Sequence, residues 1–325
     1  MPDKCILEMR GIEIQFPGVK ALDKVDFSLR EGEVHALLGE NGAGKSTLIK
    51  CLTGVHHKDA GTILLDGKEI TPVNPQAAID MGISTVYQEV NLCPNLTVAE
   101  NIFVGRQPMK HHQINWKEIN RRAKELMARF HLNIDVTRPL SYYSTAIQQM
   151  VAIARAVDIQ AKILILDEPT SSLDDNEVQL LFDVVRDLKS AGMGIIFITH
   201  FLDQVYAISD RMTILRNGQL IGTGGVGKNT DGVHELGYNL RRDAWGRGYA
   251  TEAAQAMLAW AYHSLGVRDF VLGHAILNRA SGNVARKCGF QLVRYGRYSR
   301  FDGSETFDAA FYALHLKGDE AYVCR

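Results

Sequence analysis

The sequence predicts an α/β protein whose first part is built on a parallel sheet and whose second part is a smaller, incomplete α/β segment. Three observations carry this. The apolar run Val34-His-Ala-Leu-Leu38 leads into Gly39-Glu-Asn-Gly-Ala-Gly-Lys45-Ser46-Thr47, and the apolar-periodic Leu48-Ile-Lys-Cys-Leu52 follows. Ile163-Leu-Ile-Leu166 and Gly194-Ile-Ile-Phe-Ile198 are continuous apolar runs, the pattern of strands buried on both faces. After residue 221 the text changes, and a new strand, glycine turn and long helix begin around Gly246-Arg-Gly248.

Composition sets the limits. The 325 residues are 46% apolar and 22% charged, enough to bury a core. Lys+Arg 36 against Asp+Glu 37 leaves a net charge of −1, so no nucleic-acid surface is expected. Apolar runs are too short to span a bilayer, and the amino terminus has no signal-peptide core. Five scattered cysteines without C-x-x-C spacing read as reduced thiols, which points to the cytosol.

In chain order, residues 5–16 and 25–38 alternate apolar and polar residues and read as antiparallel strands. Phe16-Pro-Gly-Val-Lys20 between them reads as an exposed loop, whose ring serves equally as purine platform or core. The glycine-rich turn that follows has strand before it and helix after it. That setting curls backbone N–H groups toward phosphate oxygens, with the helix N-terminus adding its field. Lys45 then reaches the outer phosphates and the Ser46 hydroxyl can ligate Mg²⁺. The strand Ile83–Tyr87 ends in Gln88-Glu89.

Residues 98–132 have a helical pattern. Asn115 and Glu118 form a capping box there, and Trp116, Ile119, Ala123, Leu126, Met127 and Phe130 share a core face. The doublets His56-His57 and His111-His112 lie in polar loops without acidic or cysteine partners and are not read as metal ligands. Asp167-Glu168 ends the buried strand, where open α/β sheets place ligands. A Mg²⁺ between Asp167 and the phosphates relieves the repulsion of the two carboxylates and leaves Glu168 to orient or deprotonate water. Thr199-His200 ends the next strand, beside the phosphate loop.

These motifs, with FPGVKALDKVDFSL, TVYQEVNL, LILDEPTSSLD and THFLDQVY, make residues 1–221 resemble the ATPase subunits of bacterial monosaccharide importers, in the ABC transporter family of P-loop NTPases. The resemblance implies ATP and Mg²⁺ as ligands. It implies Phe16 as the adenine-stacking residue, with Gly39, Asn41, Gly42, Ala43, Gly44, Lys45, Ser46 and Thr47 around the phosphates. It makes Gln88 the sensor that touches the metal, Asp167 the metal-side aspartate, Glu168 the catalytic base, Asp174 the D-loop aspartate and His200 the switch histidine.

The family signature falls on Tyr143-Ser144-Thr145-Ala146-Ile147. Ser144 matches, while Thr145 and Ala146 carry a Cβ where two glycines normally allow close approach to a partner protomer's γ-phosphate. The implied partners are integral-membrane permease subunits, a periplasmic sugar-binding protein acting indirectly, and a second ATPase domain or a second copy of the chain. The implied place is cytoplasmic, peripheral on the inner face of the membrane. Relatives usually carry two ATPase domains in one chain; here one is found.

Met212–Ile221 reads as a hairpin around Asn217-Gly218. Gly222-Thr-Gly-Gly-Val-Gly-Lys228-Asn229-Thr230 has Asn229 where a Mg²⁺-binding hydroxyl belongs, so it reads as a hairpin strand and not a second phosphate loop. Glu235–Leu240 is a strand, and a helix with Ala253, Met257, Ala261 and Leu265 in register follows Gly248. Together with Asn278-Arg-Ala-Ser281 and the run to Phe290, residues 222–325 resemble the acetyl-CoA-binding half of GNAT N-acetyltransferases. That resemblance implies Gly246, Arg247, Gly248 and Ala250 at a pyrophosphate, and a splayed strand near Tyr238 and Asn239 that polarises the thioester. It places Asn278 and Ser281 along the pantetheine arm, and Tyr295 or Tyr298 at the thiolate. The first strands and helices of that family are missing here, as are the last helices of the ATPase. The sheet edge so exposed is expected to pair with the ATPase hairpin or another chain. The expected function is ATP hydrolysis that energises monosaccharide import. The alternatives are an acetyl-CoA-dependent acyltransferase or a fusion product with no coupled activity.

Overall fold

The computed structural model describes residues 4–87, 92–229, 231–299 and 306–316. The chain divides into two compact units, residues 1–200 with 217–219, and residues 201–216 with 220–325.

The first unit opens on β1 (Cys5–Phe16) and β2 (Val19–Arg30), an antiparallel hairpin whose last register pair is Phe16↔Val19. The expected loop after Phe16 is therefore a tight turn at Pro17-Gly18, and β2 starts six residues earlier than the alternation suggested. Glu31-Gly32-Glu33 then separates β2 from β3 (Val34–Leu38), which is buried throughout. Next come α1 (Lys45–Leu52), β4 (Ala60–Leu65), β5 (Lys68–Glu69), α2 (Pro75–Asp80) and β6 (Ile83–Val86).

The expected helical stretch 98–132 is two helices, α3 (Val98–Phe103) and α4 (Trp116–Arg129), separated by the small hairpin β7 (Met109–Lys110) and β8 (Gln113–Ile114). The hairpin turns on His111 and His112, both at positive φ (49° and 64°). Histidine tolerates that conformation, and the usual Asn-Gly signal is absent. Only half of the capping box forms. Asn115 accepts from the Glu118 N–H at 3.2 Å, while the Glu118 carboxylate is held by Arg121 at 2.6 and 2.9 Å. Ile119, Ala123, Leu126, Met127 and Phe130 are buried, whereas Trp116, the first residue of α4, is 48% exposed.

The unit continues with α5 (Thr145–Asp158), β9 (Ile163–Asp167), α6 (Asp175–Ser190) and β10 (Gly194–Ile198). β3, β10, β9 and β6 are neighbours in that order and pair in parallel, with Phe197↔Ala36, Ile198↔Asp167 and Val86↔Leu166 among the partners. Ile163 to Leu166 and Ile195 to Ile198 are each fully buried. A second, antiparallel sheet runs β2-β1-β4-β5. The parallel order brings the carboxyl ends of β3, β9 and β10, and the residues that follow them, to one edge.

The second unit contains α7 (Leu202–Ile208), β11 (Arg211–Arg216), most of β12 (Gln219–Lys228), β13 (His234–Leu240), α8 (Tyr249–Leu265), β14 (Asp269–Ala275), α9 (Arg279–Lys287), β15 (Gln291–Ser299) and β16 (Thr306–His315). Its strands run in the order β15-β16-β14-β13-β12-β11. β12 passes through residues 221 and 222 without interruption and pairs with β13 from Gly222↔Leu240 to Lys228↔His234. The hairpin expected over the near-miss phosphate loop is therefore present, and the edge of β13 is covered by a strand that begins in the ATPase-like text.

On α8 the expected Met257 and Ala261 are buried, joined by Ala254, Leu258 and Trp260, while Ala253 is only half-buried and Leu265 is 54% exposed at the helix end. β13 and β14 pair in parallel only at His234↔Phe270 and Glu235↔Val271. Beyond that point, toward Tyr238 and Asn239, they part, which is the splay expected from the sequence.

Candidate functional site

The site grows from the turn between β3 and α1. Gly44 caps α1 with φ 105°, a conformation that L side chains rarely adopt, and a Cβ there would meet the Ala21 carbonyl oxygen at 2.8 Å. The helix therefore starts with its N–H groups open toward the cleft. Lys45 is only 8% exposed. Its ammonium donates to the carbonyls of Gly39 at 2.6 Å and Glu40 at 3.2 Å, so the loop's own oxygens hold the cation.

A cleft of about 670 Å³ is lined by Asn41, Gly42, Ala43, Gly44, Lys45, Ser46 and Thr47, and also by Asp167 and Glu168. The phosphate-loop cation and the paired carboxylates thus share one cavity. Burial pushes the Asp167 carboxyl above its ordinary range, the Glu168 charge adds to this, and Lys45 and Lys50 oppose it. Glu168 sits just past β9 at φ 47°, in the left-handed region, with its N–H on the Ile198 carbonyl at 2.9 Å. A non-glycine residue held there stores strain of about 1 kcal/mol. His200 follows β10 and lies against Glu168, Nδ1 to Oε1 3.3 Å.

The remaining wall escaped sequence reasoning. Val19, Lys20 and Ala21 of β2 line the cleft, and so do Asn217 and Gly218. The Asn-Gly turn was legible as a hairpin turn, and both residues do have positive φ. Its docking was not: the Gly218 N–H donates to Ala43 at 3.0 Å, and its carbonyl accepts from Asp23 at 2.8 Å. Lys20 is bound by Asp23 and Glu13 at 2.5 and 2.8 Å.

Phe16 lies at the end of β1, edge to face with His56 at 5.2 Å between centroids. Gln88 lies outside the described residues. Ser144 is the N-cap residue of α5 but makes no capping bond. Its hydroxyl donates instead to Glu177 at 3.2 Å. Asp174 caps α6 in a full capping box with that same Glu177, so one carboxylate joins the starts of α5 and α6. Of the two side chains that replace signature glycines, Ala146 is buried and Thr145 is exposed. Only Thr145 presents its Cβ outward.

Residues 22–171 match the family model described as ABC transporter. The chain carries an ABC transporter domain. Residues 177–291 match the acetyltransferase (GNAT) domain, so that match reaches back into α6, well before the change of text at residue 222. The galactofuranose transporter ATP-binding protein YtfR of Escherichia coli (strain K12) is 60% identical over 217 residues, covering 67% of this chain and 43% of that protein. The fructose import ATP-binding protein FruK of Bifidobacterium longum (strain NCC 2705) is 57% identical, covering 66% of this chain and 42% of that one. The chain thus spans less than half the length of these curated relatives. Among solved structures, the ADP conformation of MJ1267, an ATP-binding cassette of an ABC transporter, superposes with TM-score 0.62 at 29% identity, covering 68% of this chain and 91% of that one. The fold of the ABC transporter domain is therefore that of an ATP-binding cassette.

The GNAT-like residues lie in the second unit. Gly246 and Gly248 take positive φ before α8, with no atom within 4 Å of where their Cβ would be. Asn278 caps α9 by accepting from the Ser281 N–H at 3.2 Å. The Tyr238 hydroxyl donates to the Ser281 carbonyl at 3.5 Å. Tyr295 and Tyr298 are 65% and 40% exposed on β15. Burial raises the Tyr298 hydroxyl above its ordinary range, with the Glu235 charge adding.

Proposed function

We propose that the first unit binds ATP in this cleft and hydrolyses it, and that turnover drives import of a monosaccharide through membrane permease subunits. The observation behind this reading is the single cavity that Lys45, Ser46, Asp167 and Glu168 line together. The N–H groups at the start of α1 and the Lys45 ammonium hold the β- and γ-phosphates. Mg²⁺, when bound, neutralises charge on the phosphate oxygens. The Ser46 hydroxyl and Asp167 carboxylate would hold it, and the fit is electrostatic: Asp167 is half-buried beside a second carboxylate, and a cation relieves that. Glu168 orients the attacking water and takes its proton, and His200, in contact with it, fixes the carboxylate. Gln88 keeps the metal-sensing role that its family position implies.

Ser144, at the uncapped start of α5, serves the γ-phosphate of a second copy or second ATPase domain. Such a chain sits on the inner membrane face, held by its permease partners and reached indirectly by a periplasmic sugar-binding protein. Among the described residues no helix is long and apolar enough to cross a membrane. Specific ATPase rate measured against protein concentration tests the paired arrangement. A steep rise is expected, and a concentration-independent rate from a monomer overturns it.

A second reading attaches to the second unit, favoured by the parting of β13 and β14 and by the glycine turn before the 17-residue α8. There Gly246, Arg247, Gly248 and Ala250 would hold the pyrophosphate of acetyl-CoA. The splayed strand near Tyr238 and Asn239 would polarise the thioester, Asn278 and Ser281 would lie along the pantetheine, and Tyr295 or Tyr298 would protonate the thiolate. Calorimetry with millimolar acetyl-CoA tests it; absence of binding ends it.

A further inference from the structure

We propose that His56 and Asp59 position Phe16 for the nucleotide base, so that the segment closing the phosphate-loop helix also sets base recognition. This rests on reading Phe16 as the ring that stacks on adenine. α1 ends at Leu52, and Gly54 at φ 71° turns the chain so that the Val55 and His56 N–H groups both return to the Lys50 carbonyl, at 2.9 and 3.0 Å. The imidazole of His56 is thereby delivered to Phe16, 5.2 Å between centroids at 69°. Three residues on, Asp59 is laced to the same strand: its N–H donates to the Glu13 carbonyl at 2.8 Å, and its carboxylate accepts from the Gln15 N–H at 2.7 Å.

The helix that begins at the phosphates is therefore tied, at its other end, to the strand that carries the aromatic ring. Phe16 pairs with Val19, which lines the cleft, so the hairpin end that carries the ring adjoins the cleft wall. In either sense of an edge-to-face contact, His56 leaves at least one face of the Phe16 ring uncovered. An aromatic ring on a hairpin end has free χ rotation unless a neighbour blocks it. His56 supplies the block, and the Asp59 bonds hold the backbone beneath.

The test compares Mg-ATP with Mg-tripolyphosphate, which offers the phosphates without a base, on the full chain. His56→Ala is expected to weaken ATP about two- to tenfold, the range of one edge-to-face aromatic pair. Tripolyphosphate affinity is expected to stay unchanged. His56→Phe is expected to restore ATP, and Asp59→Ala to reproduce the base-selective loss. Wild-type ATP affinity in His56→Ala, or equal loss of both ligands, overturns the inference. Phe16→Ala separates the underlying reading. If it too leaves the ATP-to-tripolyphosphate ratio unchanged, Phe16 is not the base platform. If it lowers the ratio while His56→Ala does not, only the positioning role falls.

Discussion

Replacing Gly44 with alanine probes how the phosphate loop is held. The added Cβ would lie 2.8 Å from the Ala21 carbonyl oxygen and 3.0 Å from a Leu22 methyl, with the backbone at φ 105°. The backbone strain is about 1–2 kcal/mol. Pressing a methyl against a carbonyl and a fully buried leucine adds about 1–3 kcal/mol. Gly42 is the internal control, since it also has positive φ (82°) but nothing within 4 Å of its Cβ position. Gly42→Ala should then show the strain alone. Urea unfolding by far-ultraviolet circular dichroism, with ATP affinity alongside, should rank Gly44→Ala as the more destabilised by about 1–3 kcal/mol. Both should bind ATP more weakly, Gly42→Ala because its methyl projects into the open space of the loop and Gly44→Ala because its methyl pushes the loop off β2. Equal destabilisation, or a larger loss in Gly42→Ala, would refute the idea that the β2 backbone closes on the loop.

Other predictions follow from burial and charge. The raised Asp167 carboxyl means that ionising it disfavours the folded state. That cost is absent below about pH 4, the ordinary carboxylate range, and is present in full above the raised value. Asp167→Asn should therefore raise the urea midpoint at pH 7 and lose that advantage toward pH 3, while Mg-ATP turnover disappears; an unchanged midpoint at pH 7 counts against it. Burial pushes the Cys51 thiol up to about 11, whereas Cys93 is exposed. Peptide mapping after iodoacetamide at pH 8 should find Cys93 modified and Cys51 intact. A chain ended at residue 221 removes Val226, Met257 and Trp260, which face Val205 and Met212 across one small gap. Losing that cover should cost about 1.5–3 kcal/mol per uncovered side chain and lower the melting temperature; a melt as high as that of the full chain would show residues 222–325 to be dispensable to what precedes them.

The parts of the site that were legible are those in which neighbours in sequence are neighbours in chemistry. Val34–Thr47 states strand, turn and helix in a row, and Asp167-Glu168 follows directly on a buried run. What long-range pairing decides was not legible. Asn217-Gly218 reads as a turn, and only its bonds to Ala43 and Asp23 make it a cleft wall. Glu177 reads as a helix-start carboxylate, yet it also engages Ser144, because α5 and α6 begin side by side. The helical periodicity through 98–132 hid a break, since His111-His112 carries a turn without glycine. At residues 221 and 222 the text changes family but the backbone does not. β12 stays one strand, and the chain divides into its units at residue 200 and around 217–219 instead.

The central claim is that a water activated by Glu168 splits the nucleotide held at Lys45. Glu168→Gln keeps the side chain's size and its contact with His200 but removes the base. The measurement is ATP affinity and single-site turnover on the same preparation. ATP binding is expected to be unchanged or tighter, with turnover reduced about 10²- to 10⁴-fold. Turnover at the wild-type rate with ATP still bound would contradict it.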